Sequence, residues 1–139
     1  MRKVYPTFIA EHEGSFLVYV PDMDIYTEGR DMADAICMAR DAIGLKGIAL
    51  EDENIELPEP STYSRCVALA KENNDIFDYS QGIPTMVDVD FTEYRRKNDK
   101  KSVRRNVTLP NWLDFEAEKE GINFSKVLQE ALKQRLGVN

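Results

Sequence analysis

The first twenty residues carry apolar positions in the spacing of extended chain. VYPTFIA (4–10) and SFLVYV (15–20) are rich in β-branched and aromatic residues, and EHEG between them offers a turn in which Gly14 can take positive φ, so a hairpin is predicted over 4–20. PDMDIYTEG, bracketed by Pro21 and Gly29, reads as a third strand or edge segment. The period then lengthens. Met32, Ile36, Ala39 and Ile43 recur at helical spacing behind Asp31, whose carboxylate can accept from an early backbone N–H; the pattern predicts a helix from about Met32 to Leu45, weakened at its end by Gly44 and Gly47. EDENIELPEPST (51–62) mixes acid with proline and predicts a loop, and a second helix follows over about Tyr63 to Glu72. TMVDVDF sets Val87, Val89 and Phe91 against Asp88 and Asp90, the alternation of a half-buried strand. The polar run TEYRRKNDKKS (92–102) predicts a linker, which divides the chain into residues 1–94, a basic linker 95–102 and a second domain 103–139.

Beyond the linker the pattern changes again. In SVRRNVTLP, Val103, Arg105, Val107 and Leu109 fall on one side of an extended chain and Ser102, Arg104, Asn106 and Thr108 on the other. Pro110 suits the first turn of a helix, where its missing N–H is no loss. NWLDFEAEKEG pairs Leu113 with Ala117 and Trp112 with Phe115 and stops at Gly121; Asn123 then caps a second helix with Val127, Leu128, Ala131, Leu132 and Leu136 on one side. This is strand, helix, turn, helix in under forty residues.

Composition narrows the class. Hydrophobic residues make up 42% and charged residues 31% of the 139, as in a folded soluble protein, and no stretch approaches the roughly 20 apolar residues that cross a bilayer. The basic start MRKVYPTFIAEHEG has its apolar stretch interrupted by Pro6, Glu11, His12 and Glu13, so no secretory signal is read there and the chain is placed in the cytosol. Cys37 and Cys66, with one His in the whole chain, indicate neither a zinc site nor a disulfide; both thiols are expected to be buried, and no cofactor is implied. Charge is unevenly spread. Residues 1–94 carry 7 Lys and Arg against 19 Asp and Glu, net −12, while residues 95–139 carry 11 against 6, net +5, an asymmetry that points to a nucleic-acid-binding end.

One strand and two short helices cannot bury enough of themselves to be stable alone, and the strand has an unpaired edge. Two copies solve both problems. If the strand pairs antiparallel with its twin, Val103, Val107, Leu109, Leu113, Val127, Leu128 and Ala131 close over a shared core, and Arg104, Asn106 and Thr108 of each chain point outward from a two-stranded ribbon. Such a ribbon fits the major groove, where Arg can bridge guanine O6 and N7 and Asn can bridge adenine N6 and N7. Backbone N–H groups around Asn123, Ser125 and Lys126 would meet phosphates. The segment from about Lys101 to Gly137 resembles a ribbon-helix-helix DNA-binding domain: RRNVTLP, the Gly121 turn with INFS, and VLQEAL stand in that family's order and spacing. One departure is Glu116, where the family's first helix often places an apolar residue.

The acidic part carries a second resemblance. YPTFIAEHEGSFLVYVPDMDIYTEGRDMADAICMARDAI and the later LPEPS look like the N-terminal domain of HicB-type antitoxins, with their Tyr-Pro, Asp/Glu-x-x-Gly turn, Pro-Asp, Thr-x-Gly, Ala-rich helix and Pro-x-Pro-Ser loop. That resemblance implies an α+β chain in which a partial RNase H-like α/β domain precedes the dimerising ribbon-helix-helix domain. It further implies a small RNA-cleaving HicA toxin as partner, repression of its own operon through operator DNA, and a homodimer that associates further to a tetramer. An acidic domain suits a basic RNA-binding partner, since complementary charge speeds encounter and favours the right partner. The competing class is a metal-dependent nuclease in which Asp22, Asp24 and Glu28 hold Mg²⁺. Against it, the first strand holds no carboxylate before Glu11, and fold is not function, so the expectation is a protein that is not an enzyme.

Overall fold

A computed structural model describes all residues, 1–139. It divides into two compact units, Met1–Lys101 and Ser102–Asn139. The first is built on a four-stranded, wholly antiparallel sheet of order β3-β2-β1-β4, with β1 Arg2–His12, β2 Ser15–Val20, β3 Ile25–Gly29 and β4 Ile83–Asp90. Glu13 and Gly14, at φ +50° and +80°, make the two-residue turn between β1 and β2, the left-handed pair that matches the twist of a hairpin. A 3₁₀ turn, Pro21–Met23, leads into β3.

Strand alternation gives the sheet two apolar faces. Tyr5, Ile9, Val18, Val20, Ile25, Val87 and Val89 meet helix α1, Met32–Asp52, through Ala35, Ala39 and Ile43. On the other face Phe8 and Tyr19 meet Cys66 and Ala70 of helix α2, Tyr63–Glu72, together with Tyr79. Both helices start as their sequences require: Asp31 accepts from the Asp34 N–H, and Thr62 from the Arg65 N–H.

Helix α1 runs seven residues past the expected end at Leu45, and the two glycines that suggested fraying explain why. Phe91–Asn98, expected to be the end of a strand and a linker, is instead a helix, α3. Its rings lie on α1: a Cβ at Gly44 would stand 2.6 Å from the Tyr94 ring, and one at Gly47 2.2 Å from that of Phe91. The glycines are seats for a crossing helix. Arg95 then reaches Asp52 at 3.0 Å and Glu51 at 3.6 Å, while the Tyr94 hydroxyl donates to Asp41. A charge-rich run that looks like linker in sequence is thus a short helix held by two aromatic anchors and one arginine.

One further expectation changes, and another calls for a second copy. Cys66 is buried, but Cys37 is exposed on the outer face of α1. Residues 103–109 pair with no strand, because the chain's one sheet lies in the other unit and a ladder needs a second strand to exchange N–H and C=O bonds. The Ser102–Asn139 unit therefore consists of an unpaired lead-in, helix α4 Asn111–Lys119, a turn at Gly121 (φ +69°), and helix α5 Phe124–Leu136. Pro110 sits one position earlier than expected, at the N-cap of α4.

Candidate nucleic-acid interface

The C-terminal unit carries the charged and polar residues expected to read DNA. Arg104, Asn106 and Thr108 all lie exposed on the segment leading into α4. Asn123 caps α5, its Oδ1 accepting from the Lys126 N–H at 3.1 Å. That bond occupies one early amide of the helix, and the amides of Phe124 and Ser125 remain at its positive end, where an anion is favoured. Ser125 and Lys126 are exposed beside them.

No residue of α4 or α5 is buried, although both helices are amphipathic. Val103, Val107, Leu109, Leu113, Val127 and Leu128 are all exposed, from 39% for Leu109 to 84% for Val103, and Ala131 lies exposed on the same helix as Val127 and Leu128. Trp112 (67%), Phe115 (63%) and Phe124 add to the same unit, beyond the set chosen from the strand and helix pattern. The Trp112 and Phe115 spacing was visible in sequence, but period alone does not say how far apolar surface extends around a helix.

The other unit gathers its own chemistry. Arg2 and Arg40 converge on Asp88 at 2.6 and 3.3 Å, and the Arg2 guanidinium, then that of Arg40, holds this carboxyl below the usual carboxylate range. Asp22, Asp24 and Glu28 are not assembled as a ligand set: Asp22 Oδ2 accepts from the Ser61 N–H at 2.8 Å and faces Cys66 Sγ at 3.7 Å, and Asp24 occupies a left-handed backbone position at φ +50°. No group of three or more His, Cys, Asp or Glu side chains is placed to hold a metal ion. Asp22 instead ties the 58–62 loop to the Pro21–Met23 turn, and Tyr5 ties the same loop to the sheet by donating to the Pro58 carbonyl at 2.7 Å. Burial, with Asp22 contributing, pushes the Cys66 thiol up to about 11, so this cysteine is an inert core residue.

A feature that sequence reading missed lies at the β3 edge. Tyr19 and Tyr26, cross-strand partners on β2 and β3, stack at 4.7 Å, and Tyr79 tilts against both at 5.3 and 5.9 Å. Tyr26, Tyr79, Asn73, Asp75 and Ile76 line a cleft of about 260 Å³, with Tyr26 51% and Ile76 85% exposed. Burial raises the Tyr19 and Tyr79 hydroxyls above their ordinary value, so both are neutral at physiological pH. The alternation of Tyr19 was a usable signal; the arrival of Tyr79 and the 73–76 loop from some fifty residues away was not.

The family model for the HicB-like antitoxins of bacterial toxin-antitoxin systems matches residues 5–131. Among solved structures, a toxin-antitoxin complex from Streptococcus pneumoniae contains a chain 24% identical, aligned over 97% of this chain and 99% of that one with a TM-score of 0.60. The antitoxin HicB of Burkholderia pseudomallei aligns at 22% identity over 97% of each chain with a TM-score of 0.53. An antitoxin HicB3 aligns at 27% identity over 95% of this chain and 96% of its own with a TM-score of 0.50. No curated protein sequence matches the chain closely enough to count as a relative. No helix is long and apolar enough to cross a membrane.

Proposed function

Because the chain belongs to the HicB-like antitoxin family of bacterial toxin-antitoxin systems, we propose that it neutralises a small HicA-like mRNA-cleaving toxin through its acidic N-terminal domain and represses its own operon through a dimeric ribbon-helix-helix domain over 103–139. The β-β-β-α order of residues 2–52 supports reading the first domain as a partial RNase H-like fold. Its charge supports the toxin partner: net −12 over 1–94 complements the basic surface an RNA-cleaving protein presents.

The observation that carries the DNA-binding reading is the C-terminal unit, two amphipathic helices that bury no residue. Exposed Leu113, Val127 and Leu128 lose contact with water only against a partner, and a second copy supplies the same residues in a self-complementary arrangement. Antiparallel pairing of 103–109 with its twin satisfies the backbone groups of that segment and turns Arg104, Asn106 and Thr108 to the major groove. Asn123, Ser125 and Lys126 then hold phosphates at the start of α5.

Two experiments test this. The intact protein is co-expressed with the product of the adjacent gene; restored growth is expected, and continued arrest would remove the antitoxin role. A gel shift on DNA upstream of the gene is expected to show a retarded band with wild-type protein and a weakened one with Arg104→Ala. Equal binding by both proteins would overturn the ribbon assignment.

A further inference from the structure

We infer that the cleft between Tyr26, Tyr79 and the 73–76 loop receives a single guanidinium side chain from the toxin. The inference rests on the antitoxin reading for the identity of the partner, and on the cleft itself for the chemistry. Two aromatic rings, Tyr26 and Tyr79, bound the space, and Tyr19 backs Tyr26 in a near-parallel stack at 15°, which fixes the exposed ring. Ring faces carry partial negative charge and attract a cation placed over them.

The Tyr26 and Tyr79 hydroxyls can accept as well as donate, and the other polar groups of the cleft offer acceptors. Asp75 supplies a carboxylate. Asn73 spends its Nδ2 on the Tyr19 hydroxyl at 3.4 Å and the Leu69 carbonyl at 2.9 Å, which leaves Oδ1 as the acceptor of that amide. The Asp75 carboxylate and the ring faces, in a domain of net −12, disfavour phosphate and carboxylate and suit a group that donates and carries positive charge. Guanidinium fits better than ammonium, because it is planar, stacks on a ring and donates in a fork to a carboxylate. About 260 Å³ holds one long side chain; it falls below the ~300–1,000 Å³ of sites for drug-sized ligands. Ile76, the most exposed apolar residue of this unit at 85%, stands at the wall where the aliphatic stem of an arginine would lie.

The test uses the full-length, isotopically labelled protein and three capped tripeptides: Gly-Arg-Gly, its neutral isostere Gly-citrulline-Gly, and Gly-Lys-Gly. Saturable amide shifts confined to residues 24–27 and 73–79 are expected with the arginine peptide. Asp75→Asn and Tyr26→Leu should each weaken binding by about tenfold, while Glu56→Gln, an exposed acid elsewhere, leaves it unchanged. Equal binding of the citrulline or lysine peptide, or shifts spread over the whole acidic surface, would overturn the assignment. In cells, both cleft variants should lose protection against the co-expressed toxin while Glu56→Gln keeps it. Full protection by Asp75→Asn and Tyr26→Leu would detach the cleft from the toxin, whereas failure of the wild type to protect would strike the antitoxin reading and leave the peptide result standing.

Discussion

Replacing Gly47 by alanine probes the packing of the N-terminal unit at its tightest point. The new Cβ would lie 2.2 Å from Phe91 Cε1 and 2.6 Å from Cδ1, so the ring must move. Phe91 is 2% exposed and is the first residue of α3, so it cannot swing aside without emptying the core between α1 and the sheet. Overpacking of this kind costs about 1–3 kcal/mol, and alanine in place of a mid-helix glycine returns about 1 kcal/mol; a net loss of about 1 kcal/mol is expected. With the ring removed by Phe91→Ala, itself a loss of about 3–5 kcal/mol, the same Gly47→Ala change should become stabilising by about 1 kcal/mol. The cycle thus reverses sign, with a coupling of about 2 kcal/mol between residues in contact. Urea unfolding at one fixed protein concentration measures it, and Phe91→Leu offers a milder second corner. All six tyrosines lie in the first unit and the one tryptophan, Trp112, in the second, so near-ultraviolet signals separate the two. Stabilisation by Gly47→Ala in both backgrounds would refute the claim that the glycine exists to seat the ring.

Arg104→Ala should cost about 1–3 kcal/mol of operator affinity, and the log–log salt slope of the wild type should fall by about 0.9 for every phosphate neutralised; a slope near zero in a salt series would contradict phosphate contacts. Asn123→Ala removes the side-chain cap on the Lys126 N–H, and thermal unfolding of the intact protein should show a loss of about 1 kcal/mol, partly restored by Asn123→Ser. Burial, with Glu59 and Asp22 adding, pushes the Tyr5 phenol from its ordinary 10.0 up to about 12. The native state therefore keeps a proton that the unfolded chain releases; this stabilisation is complete below pH 10 and is lost as pH rises through 12. Unfolding free energy measured from pH 9 to 12 should fall across that window, and fall less steeply in Tyr5→Phe, whose loss of the bond to Pro58 acts at every pH.

Much of the first unit was legible because its strands and helices repeat with the period of their burial. Val87 and Val89 alternate against Asp88 and Asp90, and the α2 bounds follow from the Pro-rich loop before it and the Thr62 cap. The α1 end and α3 were not legible, for one reason. Gly44 and Gly47 look like breakers in a single helix and become assets only when Phe91 and Tyr94 cross them. Local propensity has no knowledge of a ring arriving from more than forty residues away. Cys37 shows the reverse: a residue type usually buried shares a helix stripe with Asp34, Arg40 and Asp41 and is exposed. The aromatic cleft required three segments to meet, so no window of sequence contained it. In the second unit the helices and caps were readable, since Pro110, Gly121 and Asn123 punctuate them locally. Residues 103–109 have a strand pattern and no strand in the single chain, because pairing is a property of two segments and a pattern describes one.

The proposed DNA-binding ribbon depends on two copies closing over α4 and α5, and sedimentation equilibrium of the intact protein at micromolar concentration measures that directly. A particle of at least twice the 15.9 kDa chain mass is expected, reduced to one chain by Leu128→Asp, which places a charge among the exposed apolar side chains. A folded wild-type species that stays at the mass of a single chain, with helices α4 and α5 intact by circular dichroism, would contradict it.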